Sequence, residues 1–394
     1  MERTYCWCGE HHLEPFSPDY WRCPACGTLV LREWPDEPLT EVADQGELYS
    51  KDYYLKRLPE QYGYPDLLSR ARSDLSERVL HWLNVLLRYR LPPADVLELG
   101  SGHGGFVAIM EEAGYKAMGL ELSPWLVAWS RELFQISVLQ GPLEQQNLPP
   151  ASLDVVVFMD VLEHLPDPEE TLRVAARLLR PKGFFLIQTP DFREEYQYQG
   201  LLAEQHPFLQ QLKPDQHLFL FSRRAVQLLF ERVGFGWVHF EPAIFAHYDM
   251  FFVAAREPLT PHSPAAIAEA LERRRAGRIV EALLDLWARY QASEEDRRAR
   301  GEQIAQLTAM ARARDAQIER LASALRERDA QIERLASLVQ HYQQQAALLA
   351  LALQQSRLFR LMRRLGRWEG IERILETLTA APTPSPEGKD AHSR

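Results

Sequence analysis

Asp95-Val-Leu-Glu-Leu-Gly-Ser-Gly-His-Gly-Gly-Phe106 reads as a buried strand that runs into a glycine-rich turn and then into a helix. Asp95 to Leu99 alternates and ends apolar, as a half-covered strand does. Gly100, Gly102 and Gly104 then recur at every second position. Phe106 to Ala113 has helical spacing and stops at Gly114. Glycines belong in such a turn because a Cβ would block both the sharp bend and the close approach of a ligand, while the N–H groups at the following helix start point outward. The acid Glu98, two residues before the first glycine, adds a carboxylate beside that turn.

Working outward, Lys116 to Leu120 reads as a second strand ending at Glu121. Ser123-Pro124 opens a helix, with Ser as N-cap and Pro at its first position. Ser137 to Leu139 is a short third strand, and Ser152 to Phe158 is a fourth, buried one that runs into Met159-Asp160-Val-Leu-Glu-His164. A helix from Glu169 to Leu179 leads to the turn Arg180-Pro-Lys-Gly183, and Phe184 to Gln188 is a fifth strand. Phe235 to Phe240 and Tyr248 to Ala254 supply a final pair. Strands alternating with helices imply a parallel sheet covered on both faces, with its ligand beyond the carboxyl ends of the strands. A carboxylate at the end of the second strand suits the two hydroxyls of a ribose, since it accepts both hydrogen bonds.

Gly100-x-Gly102-x-x-Gly105 alone also fits a nicotinamide-dinucleotide fingerprint. Four motifs in order decide otherwise. Glu98-Leu-Gly-Ser-Gly-His-Gly, the acid Glu121, Leu153 to His164, and Leu179-Arg-Pro-Lys-Gly183 together resemble class I S-adenosylmethionine-dependent methyltransferases, especially the branch acting on small molecules and bacterial glycans. The resemblance covers residues 90 to 255. It implies an α/β, Rossmann-like seven-stranded sheet over 93–257, with S-adenosyl-L-methionine touching Glu98, Gly100, Gly102, Gly104, Glu121, Leu122, Leu143 and Met159. Pro142 stands where many relatives place an acid for the adenine amino group, which leaves adenine to backbone and apolar contacts near Leu143. The insertion Asp191 to Leu220 should lie over the pocket and choose the acceptor. Asp215-Gln-His217 resembles a segment of glycan-modifying relatives in which a His faces the substrate, so His217, His164 and Asp160 are the expected catalytic residues. An imidazole has a proton affinity suited to a hydroxyl acceptor.

The flanks carry other chemistry. All four cysteines lie within the first 26 residues. Cys6-Trp-Cys8 and Cys23-Pro-Ala-Cys26 are two pairs on tight turns that can close a tetrahedron around one structural Zn2+, in a ribbon over residues 1–45. The first pair has a one-residue gap, so His11 or His12 is an alternative ligand. A connector and helical cap is expected over 46–92. Apolar positions from Leu67 to Leu87 follow a helical spacing that stops at Leu91-Pro92-Pro93.

After a helical linker over 262–300, a heptad pattern fills 301–356. Ile304, Ala311, Ile318, Leu325, Ile332 and Val339 hold one core position and Leu307, Leu321 and Leu335 the other. Two copies of Asp-Ala-Gln-Ile-Glu-Arg-Leu-Ala-Ser begin at Asp315 and Asp329. Such a stripe calls for self-association as a dimer or trimer coiled coil, and some 50 helical residues make a rod of about 75 Å. Residues 357–378 form a basic amphipathic helix suited to an anionic membrane surface or a partner groove. A tail over 379–394, rich in Pro, Thr and Ser, is expected to be disordered.

Charge and hydropathy narrow the partners. A formal net charge of −10 over 394 residues gives no global basic field for nucleic acid, and no apolar run is long enough to span a bilayer. The expected setting is cytoplasmic, with peripheral contact to the inner membrane face. The expected acceptor is a glycan or nucleotide sugar, with RNA methylation and a non-catalytic scaffold as rival readings.

Overall fold

The computed structural model describes residues 3–34, 50–57, 59–60, 63, 65–366 and 369–379. Residues 35–45 of the expected ribbon, 46–49 and four further positions of the expected connector, Arg367 and Trp368 of the basic helix, and the expected disordered tail beyond Thr379 lie outside them. The chain divides into two compact units, Met1–Ser293 and Glu294–Arg394.

The first unit opens with three short strands, β1 (Glu14–Pro15), β2 (Tyr20–Arg22) and β3 (Leu29–Leu31). Helix α1 (Leu67–Asp74), a π-helical turn over Leu75–Val79 and α2 (Leu80–Tyr89) follow as one continuous apolar-faced segment that ends before Pro92-Pro93, as the spacing requires. The main sheet then begins with β4 (Asp95–Leu99), α3 (Gly105–Ala113), β5 (Lys116–Glu121), α4 (Pro124–Phe134), β6 (Val138–Gln140), β7 (Leu153–Met159), α5 (Pro168–Leu178) and β8 (Leu179–Pro190). Helix α6 (Tyr198–Glu204), strand β9 (Phe219–Leu220), α7 (Arg223–Arg232), β10 (Trp237–Glu241) and β11 (Asp249–Ala255) complete it.

Seven strands pair in the order β10-β11-β8-β7-β4-β5-β6. The five from β8 to β6 are parallel, and β11 and β10 pair antiparallel at one edge. This is the Rossmann-like methyltransferase sheet. Its central strands are apolar throughout because helices cover both faces: Val96, Leu97, Val155 to Phe158 and Phe184 to Ile187 are wholly buried. Helix starts follow their caps: Ser123 Oγ accepts from Leu126 N, Asp167 Oδ1 from Glu170 N and Ser222 Oγ from Ala225 N. The expected turn Leu179 to Gly183 is instead drawn into β8, with a register irregularity between Leu153 and Val155 on the neighbouring strand.

A second sheet, β1-β2-β3-β9, joins the N-terminal ribbon to the 191–220 insertion. Leu29 and Val30 pair with Leu220 and Phe219 of the 191–220 insertion, and Cys6, Cys23 and Cys26 are buried in the same core as Phe158, Ile187 and Phe230. Polar contacts lock the join: Ser222 Oγ donates to Cys26 O (3.1 Å), Arg22 to Glu194 O (2.6 Å) and Arg232 to Cys8 O (3.0 Å).

After β11 come α8 (Pro264–Glu272), within the expected linker, and α9 (Arg275–Gln355), an uninterrupted helix of 81 residues that takes in the rest of that linker and most of the heptad segment. Ile304, Ile318, Ile332, Leu321 and Leu335 are each more than half exposed along it. In the second unit α10 (Arg357–Arg364) and α11 (Glu369–Thr379) follow, with Phe359 and Leu375 buried against Ala350. Among the described residues no helix is long and apolar enough to cross a membrane.

Gly104 gives this fold a test. It caps α3 at φ +85°, and a Cβ there would collide with Ile136 and approach Ser130 Cβ at 3.1 Å. Gly104→Ala should lower stability by about 1–3 kcal/mol through left-handed strain and overpacking, read as a shifted midpoint in urea unfolding.

Candidate functional site

A cavity of about 720 Å³ opens beyond the carboxyl ends of β4, β5 and β7, within the size range of small-ligand sites. Its floor is the turn after β4. Gly100 N and Ser101 N both donate to Leu120 O (2.8 and 3.2 Å), which folds the turn back over the end of β5. Gly102, at φ +53°, donates its N–H to Glu121 Oε2 (2.9 Å), and Ser123 N donates to Glu121 Oε1 (3.0 Å). A Cβ on Gly102 would meet nothing nearer than 4.0 Å, so this glycine keeps an open approach, whereas one on Gly100 would collide with Val161. Gly104 packs against Ser130 of α4 and Ile136 and is not among the residues that line the cavity.

Two buried acids flank the turn. Glu98 is 3% exposed and lines the cavity, and its Oε2 has no hydrogen-bond partner among the described residues. Burial, and then the charge of Glu121, push its carboxyl well above the usual range. Burial also raises Glu121, against the pull of the Ser123 and Gly102 N–H groups. An orphaned buried carboxylate oxygen at such a turn calls for a donor from a ligand. Leu122, Leu143 and Met159 line the walls as expected, with Pro142 beside Leu143.

The opposite wall carries the expected catalytic residues. Asp160 sits at φ +57°, a strained position for a residue with a side chain; its Oδ1 accepts from Gln188 Nε2 (3.0 Å) and its Oδ2 pairs with Arg78 (3.2 Å). His164 lines the cavity, with its Nδ1 on Gln216 O (2.8 Å), and burial drops its imidazole to about 4. His217 lies behind it, not on the wall. It is 3% exposed, its ring stacks edge-on against His164 at 4.9 Å, and its Nδ1 contacts Gln211 O (2.8 Å). Burial, and then His164, hold its proton affinity well below the ordinary value, so the expected direct contact between His217 and substrate is not what this arrangement provides.

Sequence reading passed over Glu163, 1% exposed and raised to about 8 by burial and the charge of Asp160, whose Oε2 accepts from Thr189 Oγ1 (2.9 Å). It also passed over the His103–Asp74 pair (3.0 Å), which lines the cavity beside the turn, and over Trp34 and Leu218, which bring the second sheet to the cavity. The adjacency of Glu163 to His164 was the one available signal; the rest depends on tertiary packing.

The four cysteine sulfurs converge at the other end of the second sheet. All lie within 4.8 Å of one another, with Cys6 to Cys26 at 3.5 Å and Cys8 to Cys23 at 3.6 Å. A thiolate tetrahedron around one zinc places sulfurs about 3.8 Å apart, so this set can hold a metal. His11 and His12 are exposed, and His11 packs on Tyr5, so neither is needed as a ligand.

Residues 71–239 match the family model described as a methyltransferase domain. A protein of Mycolicibacterium smegmatis named as a probable S-adenosylmethionine-dependent methyltransferase is 36% identical over 106 residues, 27% of this chain and 41% of that one. A ubiquinone biosynthesis O-methyltransferase of Xanthomonas campestris is 33% identical over 129 residues, 30% and 54% of the two chains. The chain thus spans about half the length, or less, of these curated relatives. A solved S-adenosylmethionine-dependent methyltransferase of Thermotoga maritima is 19% identical over 48% of this chain and 96% of its own, at a TM-score of 0.36. The sheet order above fits a class I methyltransferase domain over the matched residues 71–239.

The two glycines separate binding from folding. Gly102→Val and Glu121→Ala should each weaken S-adenosylhomocysteine by roughly 1–3 kcal/mol in calorimetry, through lost approach and lost hydrogen bonds. Gly102→Ala should cost less stability than Gly104→Ala, because both carry left-handed strain but only the latter also meets packed side chains.

Proposed function

We propose that this chain is an S-adenosylmethionine-dependent methyltransferase whose acceptor is a hydroxyl, on a sugar of a bacterial surface glycan or of its nucleotide- or lipid-linked precursor. The observation that carries the methyltransferase reading is the unpartnered, buried Glu98 Oε2 beside the open backbone of Gly102 and the paired acceptor Glu121. Glu98 would take the ammonium of the cofactor and Glu121 its ribose hydroxyls; a carboxylate accepting one N–H per oxygen still has lone pairs to offer. Leu122, Leu143 and Met159 supply apolar walls. The bound sulfonium supplies an electrophilic methyl group, and the protein supplies alignment and exclusion of water. The hydroxyl class draws support from the O-methyltransferase named among the relatives. The glycan assignment rests on the sequence resemblance over residues 90 to 255 and on the rod described next.

The exposed heptad stripe of α9 joins copies of the chain as a dimer or trimer, since a single helix would leave Ile304, Ile318 and Ile332 about 60% or more in water. The Arg-bearing α10, with Leu358 and Leu361 exposed beside Arg357, Arg360 and Arg364, serves as a peripheral contact to an anionic membrane. Cys6, Cys8, Cys23 and Cys26 hold one structural Zn2+. Because their sheet also carries Trp34 and pairs with β9 beside Leu218 at the cavity rim, that ion stabilises the acceptor wall.

The purified chain should bind S-adenosylhomocysteine in the roughly micromolar range and transfer tritiated methyl to a nucleotide sugar or lipid-linked glycan. Tighter binding of a nicotinamide cofactor would end the cofactor reading. Elemental analysis should give one zinc per chain, and Cys23→Ser should lose it, with a larger rise in acceptor KM than in cofactor Kd. A metal-free wild type with an ordered N-terminus would refute the zinc site. Finally, Ile318→Asp with Ile332→Asp should turn an oligomer into a monomer in light scattering while leaving cofactor affinity unchanged; a wild-type monomer would sink the coiled coil.

A further inference from the structure

Helix α9 begins on the first unit, and there one of its faces is already used. Val280 is buried, Leu284 packs against the same core, and Trp287 lies on His81 of α2 with ring centroids 5.6 Å apart. One residue back, about 100° round the helix, Ile279, Leu283, Leu286 and Tyr290 stand 38–60% exposed. Their 4-3-4 spacing is that of a heptad seam. It continues in phase, through Ser293, Arg297 and Arg300, into Ile304, Leu307 and the two repeated words. We infer that the self-association seam of α9 starts on the first unit itself, where Ile279 to Tyr290 pack on the same residues of one second copy that runs parallel and in register. This deepens the self-association proposed above and rests on it.

The period selects a helix as the occupant. Ile279 and Leu349 hold the same seam position and stand 70 residues, or ten heptads, apart. On an unsupercoiled helix such a stripe drifts about 20° per heptad, roughly 200° in all. A flat surface or a short groove covers only part of it, whereas a helix of the same period wound round it covers the whole. Ile304, Ile318 and Ile332 at one core position with Leu307, Leu321 and Leu335 at the other is the pattern that favours two strands.

Charge complementarity selects a second copy and its direction. Arg297 and Arg300 interrupt the seam but pair with acids of their own helix, Glu294 and Asp296. Arg314 and Arg328 occupy the core position of Leu307, Leu321 and Leu335, and each is followed by an acid, Asp315 and Asp329. Among the described residues none of these four side chains has an ion pair. In a parallel, in-register pair Arg314 meets Arg314 of the partner subunit, with the partner's Asp315 on the rim of the hole it enters. The layer then holds two cations and two anions and is neutral. Arg328 and Asp329 repeat it two heptads later. An antiparallel pair would set this position against the Ile position, and a slip of one heptad would set Arg314 against the partner's Leu321; either buries an arginine on an apolar neighbour. The parallel pair brings two methyltransferase units together, and likewise two α10 helices, so the second of two contacts with one polymer or surface becomes intramolecular.

Sedimentation equilibrium of the full chain should give a dimer. Small-angle X-ray scattering should place its two globular units side by side, and not separated by the roughly 110 Å that Ile279 to Leu353 span at 1.5 Å per residue. Ile279→Asp with Leu286→Asp should raise the dimer dissociation constant roughly tenfold or more, since carboxylates would enter a dry seam. Arg314→Asp with Arg328→Asp, and separately Asp315→Arg with Asp329→Arg, should each weaken the dimer, and mixing the two variant chains should restore a 1:1 heterodimer in native mass spectrometry. A trimer, separated units, a dimer unmoved by the Ile279 and Leu286 changes, or no preference for the heterodimer would overturn the proposal while leaving the coiled coil standing. A wild-type monomer would overturn both. Stoichiometry and scattering of the unmutated chain keep the test decisive even if a variant misfolds, and neither depends on cofactor binding.

Discussion

The hydrogen bond from Gly102 N to Glu121 Oε2 ties the turn after the first strand of the main sheet to the end of the second. With Gly100 N and Ser101 N on Leu120 O, it fixes where the backbone of α3 begins and where the cavity floor lies. In a parallel sheet the last residues of each strand run beyond the ladder, so their polar groups must be satisfied by turns, helix starts or ligands. Glu98, Glu121 and Asp160 all stand at such ends, as does Glu163 one turn further on. Glu121 finds two N–H groups; Glu98 keeps an oxygen without a partner among the described residues. The cavity is therefore lined by strand ends whose pairing is incomplete among the described residues.

The opposite wall depends on a second sheet that the main sheet does not build. Tyr20 Oη donates to His217 O at 2.9 Å, and Leu218 N donates to Glu163 O at 2.9 Å. The N-terminal strands thus fix the backbone on which the second histidine is carried, and Trp34 extends that support to the rim. A small sheet too short to bury a core of its own gains one by sharing the core of its neighbour.

Gln188 joins the walls. Its Oε1 accepts from Trp82 Nε1 at 2.9 Å, and its Nε2 donates to Asp160 Oδ1 at 3.0 Å. Wholly buried, it connects the helical cap to the strained aspartate through two hydrogen bonds. Buried networks of this kind fix one side-chain arrangement because any other leaves a polar group unsatisfied. The backbone of Asp160 is held too, its N–H donating to Gln188 O at 3.0 Å, which supports an otherwise costly left-handed conformation.

By itself the sequence determined the main sheet, because strand and helix periods are local: Asp95 to Leu99, the glycines after it, Ser123-Pro124 and the apolar run from Leu153 all form what their spacing requires. It placed Glu98 and Glu121 at the cavity and brought the four cysteines together for the same reason, since these acids and the two cysteine pairs stand in short-range motifs. The tertiary structure decided the rest. Gly104 proved a packing residue because Ile136 and Ser130, more than twenty residues away, fill the space beside it. The ribbon is no independent module because β3 finds its partner in β9, nearly 190 residues later. His217 lies behind His164 instead of facing the cavity because Gln211 O, Tyr20 Oη and a buried core fix it there. These outcomes depend on which distant surfaces exclude water together, and no local period in the chain encodes that.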